Sequence, residues 1–427
     1  MIRTVEPGGA LHGSLRVPGD KSVSHRALLL NSLTGGTARI RGLLDSEDVH
    51  ATRGAVQALG VTVRADGPDW ILTAPERLNE PEDVVDCGNS GTTIRLLTGL
   101  LAPLDLSVVL TGDHSLRRRP MGRVVQPLRD LGVCIDGRDH GNLAPLTLRG
   151  GTVRPGASHR LSISSAQVKT CLLLAGRKEG TSVWEPRDSR DHTERMLRAM
   201  GAPLRQAADR TWHLDPVEHL APLDVDVPRD LSAAAFWLVG GSIVPGSDLR
   251  LPGVGLNPTR AGVVDALQRM GARIEAEPVD ASGAEPVANL RVQATALRGT
   301  DIAGDLALRC LDEIPVLAVA AACAEGVTRI RDAAELRVKE SDRIARVVQG
   351  LRSLGIDVEE YPDGMAIQGG AFKGPGQVDA DGDHRIAMAF AMAGCITPGG
   401  VQISGAHSIG SSYPRFFDDL ASLRGSA

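Results

Sequence analysis

The sequence Leu267-Gln268-Arg269-Met270-Gly271-Ala272-Arg273-Ile274 contains the end of a helical pattern, a glycine and the start of a strand. A glycine directly after a helical pattern adopts the left-handed conformation that stops the helix. The same phrase recurs, with its glycine at Gly60, Gly132, Gly201, Gly271 and Gly355. These glycines lie about 70 residues apart, with one longer interval, and a sixth copy at 416–423 lacks its strand. The spacing predicts a repeat architecture.

A second phrase precedes most copies and consists of a glycine followed by a short β-branched run. It begins at Gly36, Gly180, Gly326 and Gly400. Between the phrases lie segments that are apolar nearly all round, a pattern typical of buried helices. These segments are 27–30, 94–97, 168–174, 233–239, 315–322 and 386–392. Six such units predict a mixed α/β (α+β) chain with two domains of three repeats each, and the alternative is an ordinary α/β fold with coincidental phrasing.

Composition narrows the class of protein. The 427 residues are 42% hydrophobic and 23% charged, which is typical of a globular chain. A net charge of -5 and only 3% aromatic residues argue against nucleic acid as the main partner. No apolar run approaches the roughly 20 residues that span a bilayer, and residues 1–7 lack the apolar core of a signal peptide. We therefore expect a cytoplasmic protein with no membrane partner, and six scattered cysteines that are reduced and mostly buried.

The starts of the predicted helices carry an unusual charge. A helix amino end is already partly positive, so acidic residues are favoured there. This chain instead places cations, hydroxyls and amides there, as in Asp20-Lys21-Ser22-Val23-Ser24-His25-Arg26 and Gly88-Asn89-Ser90-Gly91-Thr92-Thr93. A bound anion would stabilise cations at these positive helix ends, because backbone N–H groups and basic side chains would both contact its negative charge.

Each of these motifs also has a purely structural interpretation. Lys21-Ser22 can be part of a helix cap, Gly88 to Thr92 a turn, and Lys339-Glu340-Ser341-Asp342-Arg343 a set of surface ion pairs. No GxxxxGK[ST] loop is present, and no Cys/His group has zinc spacing, so no metal site is expected. The recurrence of the motif across repeats favours a shared anion site.

Eight motifs together resemble the 5-enolpyruvylshikimate-3-phosphate (EPSP) synthase family, in its class II form. The resemblance runs from about Lys21 to Pro414, in the family's order. The motifs begin at Asp20, Gly88, Arg119, Ser164, Arg190, Asp312, Arg337 and Asp383. The resemblance implies an inverse α/β prism, in which each domain has three βαβαββ units and the active site lies in the cleft between the domains. The implied domains are 20–227 and 1–19 plus 228–427, the first strand joining the C-terminal half.

The reaction that the resemblance implies is enolpyruvyl transfer from phosphoenolpyruvate to the 5-hydroxyl of shikimate 3-phosphate. It proceeds by addition and elimination, releases phosphate and needs no cofactor, and we expect a monomer. The implied catalytic residues are Asp312 as base and Glu340 as acid, with Lys21 assisting proton movement. The residues implied to bind phosphoenolpyruvate are Lys21, Gly91, Arg119, Gln167, Arg343, His384 and Arg385. Those implied for shikimate 3-phosphate are Lys21, Ser22, Arg26, Ser164, Ser165, Gln167, Arg190, Asp312 and Lys339.

The sequence departs from the family pattern at one place. Some members carry a phosphate-binding lysine shortly before the last aromatic-Pro pair, and the stretch Ile409-Gly410-Ser411-Ser412-Tyr413-Pro414 contains none. That contact is therefore absent or supplied otherwise. Gly91 matches the position where a methyl group crowds the inhibitor glyphosate, so we expect inhibition by glyphosate.

Two other functions remain open at this stage. The first is enolpyruvyl transfer to UDP-N-acetylglucosamine, whose enzymes resemble this chain in architecture. That family has a Lys-Asn start and usually a loop cysteine, whereas this chain has Lys21-Ser22 and no Cys in 111–122. The second is a non-catalytic protein that binds anions or RNA. Retention of the acid, the base and the cations argues against it.

Overall fold

The computed structural model describes residues 2–151, 153–279 and 284–424. The chain divides into two compact units. The N-terminal unit contains residues 19–228 together with Ala284 and Glu285, and the C-terminal unit contains residues up to Pro18, those from Arg229, and those from Pro286.

Thirteen α-helices lie in the described part of the chain. They are α1 Lys21–Asn31, α2 Glu47–Ala58, α3 Gly91–Leu101, α4 Gly122–Asp130, α5 Ala166–Ala175, α6 His192–Ala199, α7 Leu231–Ile243, α8 Gly262–Arg269, α9 Gly304–Arg309, α10 Ile314–Ala322, α11 Arg343–Ser353, α12 His384–Gly394 and α13 Phe416–Leu423. Short 3-10 helices occupy Leu116–Arg118, Leu311–Glu313, Ala334–Val338 and Ala406–Ser411.

The strands are short and numerous. They are β1 Ile2–Val5, β2 His12–Ser14, β3 Thr37–Arg41, β4 Thr62–Asp66, β5 Asp69–Thr73, β6 Val85–Asp86, β7 Ser107–Thr111, β8 Cys134–Arg138, β9 Leu143–Arg149, β10 Ala157–Arg160, β11 Thr181–Trp184, β12 Leu204–Gln206, β13 Thr211–Leu214, β14 Val225–Asp226, β15 Asp248–Gly255, β16 Arg273–Val279, β17 Val287–Gln293, β18 Asp301–Ile302, β19 Val327–Ile330, β20 Asp357–Tyr361, β21 Gly364–Gln368, β22 Gly376–Asp379 and β23 Val401–Ser404.

The N-terminal unit contains three four-stranded sheets of one design. Their strand orders are β14-β3-β5-β4, β6-β7-β9-β8 and β10-β11-β13-β12. In each sheet the first pair is parallel and the other two pairs are antiparallel. A buried helix connects the parallel pair in the second and third sheets, and the first sheet takes β14 from the end of the unit. This is the predicted βαβαββ repeat.

The C-terminal unit repeats the design with one variation. Two sheets, β2-β15-β17-β16 and β18-β19-β21-β20, have four strands, and the third, β1-β23-β22, has three. In the third sheet, β1 pairs antiparallel with β23, so the chain's first strand completes the repeat that lacks its own last strands. The fold class predicted from the sequence is confirmed.

The repeat glycines and the apolar helices behave as their sequence predicts. Gly60, Gly132, Gly201, Gly271 and Gly355 all have φ between 81° and 91°. The helices α1, α3 and α5 lie in the core of the N-terminal unit, and α7, α10 and α12 lie in that of the C-terminal unit. A Cβ atom on Gly99 of α3 would lie 2.2 Å from the Cys171 carbonyl oxygen of α5, so only glycine permits this approach. All six cysteines are free, and Cys134 is exposed, unlike the others.

Candidate active site

The amino ends of the core helices in the N-terminal unit lack acidic residues in their first turns. The cap of α1 is Asp20, whose carboxylate accepts a hydrogen bond from the Val23 amide at 2.9 Å. The caps of α3 and α5 are hydroxyl groups, those of Ser90 and Ser165. Two helix ends therefore keep an uncompensated partial positive charge, which favours an anion.

A chain of four buried side chains connects the starts of α1 and α3. The Nδ1 atom of His25 lies 2.6 Å from Thr52 Oγ1, which lies 2.6 Å from Thr93 Oγ1. Thr93 in turn donates to Ser90 Oγ at 2.7 Å. Burial lowers the pKa of His25 to about 3, so the imidazole is neutral near pH 7. The amino ends that carry Lys21 and Gly91 are thus held by a neutral network.

Three residues predicted to bind phosphoenolpyruvate are gathered around one arginine. The guanidinium of Arg95 donates to Gln167 Oε1 at 2.8 Å and to the Pro120 carbonyl at 3.1 Å. A Cβ atom on Gly91 would lie 2.9 Å from Arg95 Nη1 and 3.1 Å from Arg119 Nη1. Gly91, Arg119 and Gln167 therefore lie close together in the N-terminal unit.

Arg95 was missed from the sequence. The available signal was its place in α3, four residues after Gly91 and within an apolar segment, because side chains four residues apart share one helix face. A cation on that face lies beside the helix start and adds to the positive charge there.

Lys21 and Arg26 lie on α1 and have different surroundings. Lys21 Nζ forms an ion pair with Asp48 Oδ2 at 2.9 Å, and both side chains are partly exposed. Arg26 is buried, and its Nε atom donates to Thr193 Oγ1 at 2.6 Å. Burial lowers the pKa of Arg26 to about 10, which still leaves the guanidinium charged at pH 7. Ser22 lies between them, and its carbonyl oxygen accepts from Arg26 Nη1 at 3.0 Å.

The three remaining residues, Ser164, Ser165 and Arg190, lie at the start of α5 and before α6. The Ser164 hydroxyl donates to the Arg187 carbonyl at 2.6 Å and accepts from the Arg187 amide at 2.9 Å. These bonds tie the segment before α5 to the segment that carries Arg190. Ser165 caps α5, and Arg190 is half-buried two residues before α6 begins. The structure thus brings a hydroxyl pair and a cation onto two connected segments.

The C-terminal unit brings its six predicted residues to the amino ends of α10, α11 and α12. At the centre is Arg343, whose side chain is only 1% exposed. Its guanidinium contacts three carboxylates, those of Glu340 (2.6 Å), Asp383 (2.7 Å) and Asp312 (3.1 Å). Burial lowers the pKa of Arg343, but the three carboxylates more than offset this, and the net shift is upward. The guanidinium is therefore permanently charged.

Lys339 and Arg385 surround the same aspartate. Lys339 Nζ and Arg385 Nη2 each lie 3.9 Å from a carboxylate oxygen of Asp312. Arg385 Nη1 also donates to the Asp312 carbonyl at 3.2 Å and lies 3.6 Å from Glu313 Oε1. Together with Arg343, three cations therefore lie within 4 Å of the Asp312 carboxylate.

His384 is the first residue of α12 and is buried. Its Nδ1 atom lies 3.2 Å from the hydroxyl oxygen of Ser411, in the stretch that lacks the family's lysine. A neutral hydroxyl therefore lies beside the imidazole at the start of α12.

No group of three or more His, Cys, Asp or Glu among residues 2–151, 153–279 and 284–424 is arranged to hold a metal ion. In the same part of the chain, no helix combines the length and the apolar character that a membrane span requires. What the chain does bring together, in each unit, is a group of cations with polar side chains at helix amino ends.

Comparison with known proteins assigns this geometry to a family. Residues 5–420 match the family model of EPSP synthase (3-phosphoshikimate 1-carboxyvinyltransferase). The chain is 49% identical to the 3-phosphoshikimate 1-carboxyvinyltransferase of Synechococcus sp. (strain RCC307), over 98% of each chain. It is 50% identical to that of Halorhodospira halophila (strain DSM 244 / SL1), over 98% of this chain and 95% of the other.

Solved structures agree with this assignment. EPSP synthase from Acinetobacter baumannii superposes with a TM-score of 0.88 at 38% identity, over 99% of this chain and 98% of that one. The enolpyruvyl transferase NikO from Streptomyces tendae has a TM-score of 0.80 at 20% identity, over 99% and 97% of the chains. The second likeness shows the fold alone.

Proposed function

Because this chain belongs to the EPSP synthase family, we propose that the helix-start residues of both units act on one pair of substrates. The reaction is transfer of the carboxyvinyl group of phosphoenolpyruvate to shikimate 3-phosphate, in the biosynthesis of aromatic amino acids. The two substrates bring two phosphates and two carboxylates. Four anionic groups need several cations and many N–H donors, and the two units supply both.

The N-terminal unit supplies the sites for the two phosphates. We assign the phosphoenolpyruvate phosphate to Lys21, Arg119, Gln167 and the Gly91 amide, because three of these surround Arg95. The 3-phosphate of the acceptor is assigned to Ser164, Ser165 and Arg190. The carboxylate of the acceptor is assigned to Ser22 and Arg26. A backbone amide at the start of α3 suits a phosphate oxygen, since it adds a donor without a side chain.

The C-terminal unit supplies the site for the donor carboxylate and the acid–base groups. Arg343 and Arg385 are assigned to the phosphoenolpyruvate carboxylate, because a guanidinium fork matches two carboxylate oxygens. His384, which precedes Arg385 at the start of α12, is assigned to the same phosphoenolpyruvate site. Asp312 and Lys339 are assigned to the ring hydroxyls of the acceptor.

The chemistry runs through a tetrahedral intermediate. In the addition step, Asp312 removes the proton of the 5-hydroxyl, whose oxygen bonds to C2 of phosphoenolpyruvate while Glu340 gives a proton to C3. In the elimination step, C3 gives a proton back to Glu340, the double bond between C2 and C3 forms again, and the C2–O bond breaks as phosphate leaves. Lys21 assists proton movement near the leaving phosphate.

One observation carries this assignment of roles. The two carboxylates with opposite proposed roles, Asp312 and Glu340, contact the same fully buried guanidinium of Arg343. A shared cation fixes both carboxylates in place and stabilises the negative charge that develops during addition.

The test of the function is phosphate release from phosphoenolpyruvate with each acceptor alone. We expect release with shikimate 3-phosphate, and none with UDP-N-acetylglucosamine or without acceptor. Release with the nucleotide sugar alone would favour the first alternative function, and no release with either acceptor would favour the second.

Oligomeric state and cell compartment remain predictions. We propose that the enzyme acts as a monomer in the cytoplasm. Light scattering on the purified chain and fractionation of cells that express it test the two statements separately.

A further inference from the structure

A buried cation lies in the N-terminal unit outside the residues assigned to substrates. Lys169 is on α5, and its side chain is 0% exposed. Its Nζ atom lies 2.6 Å from Glu185 Oε1 and 2.9 Å from Glu194 Oε1, and both glutamates are also 0% exposed. Three charges without solvent contact carry a large desolvation cost, so such a group rarely serves packing alone.

The two glutamates bracket the segment that carries Arg190. Ser189, directly before Arg190, donates from its amide to Glu185 Oε1 at 3.1 Å and from its hydroxyl to Glu185 Oε2 at 2.6 Å. The Ser189 carbonyl accepts from Lys169 Nζ at 3.4 Å. The backbone before Arg190 is therefore bound on both its donor and its acceptor side.

The same cluster reaches Arg26, a second cation that is predicted to bind the acceptor. Thr193, next to Glu194, accepts from Arg26 Nε at 2.6 Å. It also shares a hydrogen bond of 2.6 Å with Thr170, which follows Lys169. Burial lowers the pKa of Arg26, and the charge of Glu194 opposes that shift. Burial raises the pKa of Glu194, and Lys169 opposes that shift.

We propose that Lys169, Glu185 and Glu194 form a positioning triad that holds Arg190 in place for the 3-phosphate of the acceptor. This inference rests on the proposed function, which assigns that phosphate to Ser164, Ser165 and Arg190. The triad touches no substrate atom and acts through Ser189. It therefore sets the preference for an acceptor with a 3-phosphate over one without it.

The experiment compares the affinities for shikimate 3-phosphate and for shikimate, which lacks the phosphate, by calorimetry on the full chain. In Lys169→Met, the two glutamates lose their lysine and the Ser189 segment loses its anchor. We expect the ratio of the two affinities to fall about tenfold, as for loss of a charge-assisted contact, with the KM for phosphoenolpyruvate within about twofold.

A matched control removes another buried cation just beyond the end of α5. Arg177 is buried and lies near the Leu100 and Leu174 carbonyls at 3.5 Å each, with no carboxylate among those contacts. We expect Arg177→Met to lower stability and to leave the affinity ratio unchanged. An equal fall of the ratio in both variants would show a general effect of losing a buried cation and would overturn the inference.

If Lys169→Met does not fold, Ser189→Ala is the variant that tests the inference. This change removes only the hydrogen bond from the Ser189 hydroxyl to Glu185. We expect a fall of about threefold in the affinity ratio, as for one hydrogen bond. An unchanged ratio in a folded Lys169→Met, or in Ser189→Ala where that variant decides, overturns the inference. A wild-type chain that shows no preference for the phosphorylated acceptor would instead overturn the proposed function.

Discussion

The two units are built from the same repeat, but different kinds of side chain contact the amino ends of their helices. In the N-terminal unit, hydroxyl groups cap α3 and α5, and the neutral chain from His25 to Ser90 connects the starts of α1 and α3. In the C-terminal unit, a buried arginine and three carboxylates hold the starts of α11 and α12. The first arrangement leaves positive charge available to an anion. The second arrangement places the proposed acid and base beside a fixed cation, so the two units suit the two different tasks that we propose for them.

The largest expected effect lies in the C-terminal unit. Replacing Asp312 with Asn or Glu340 with Gln removes a proton-transfer group and keeps the shape, so we expect kcat to fall by roughly 10²–10⁴. The affinity for shikimate 3-phosphate should change far less in Glu340→Gln. Steady-state kinetics and calorimetry measure the two quantities, with the exposed Asp357→Asn as control. Near-normal turnover in either variant would remove that residue from its proposed role.

The second prediction contrasts the stabilities of the two sites. Arg343→Met leaves three carboxylates without their shared cation, and breaking a buried ion pair costs about 3–5 kcal/mol. Arg119→Met changes a half-buried cation of the N-terminal unit, and we expect it to cost less than about 1 kcal/mol. Urea unfolding measures both. Equal losses of unfolding free energy in the two variants would mean that the buried charges of the C-terminal unit are no more important for stability than the half-buried Arg119.

The third prediction concerns pH and the neutral network. His25 has a folded pKa of about 3 and a reference value of 6.5, so the unfolded chain binds the extra proton between these values. The contribution of the neutral imidazole to the free energy of unfolding is therefore complete above pH 6.5 and declines as the pH falls. We expect a loss of about 2 kcal/mol of unfolding free energy from this group between pH 7 and 5.

Unfolding measured at both pH values isolates this effect through a pair of variants. His25→Asn should lack that part of the pH dependence, whereas His140→Asn, which changes an exposed imidazole, should keep it. The same pH dependence in His25→Asn and the wild type would contradict a neutral buried imidazole.

The smallest expected effect is at the start of α3. A methyl group in Gly91→Ala would lie 2.9 Å from Arg95 Nη1 and 3.1 Å from Arg119 Nη1, so both side chains must shift by a few tenths of an ångström. We expect inhibition of the wild type by glyphosate, and in the variant weaker inhibition and a higher KM for phosphoenolpyruvate, by about tenfold or less. Inhibition assays at fixed phosphoenolpyruvate measure this. Undiminished wild-type turnover in a large excess of glyphosate would contradict the expectation.

The sequence predicts what depends on neighbours along the chain. The glycine stops and the apolar helices are local patterns, and both the repeat and the cations at the helix starts follow from them. The role of Lys169 could not be predicted, because Glu185 and Glu194 approach it only after folding. The pairing of β1 with β23 likewise joins the two ends of the chain, which no local pattern indicates, although the family resemblance does.

The proposed function requires residues of both units to act on one pair of substrates. A crystal structure with shikimate 3-phosphate and glyphosate bound would show whether they do. We expect the 3-phosphate to contact Ser164, Ser165 and Arg190, and the 5-hydroxyl of the same molecule to lie within hydrogen-bond distance of Asp312. An acceptor bound only by residues of one unit, with Asp312 out of reach, would contradict the claim.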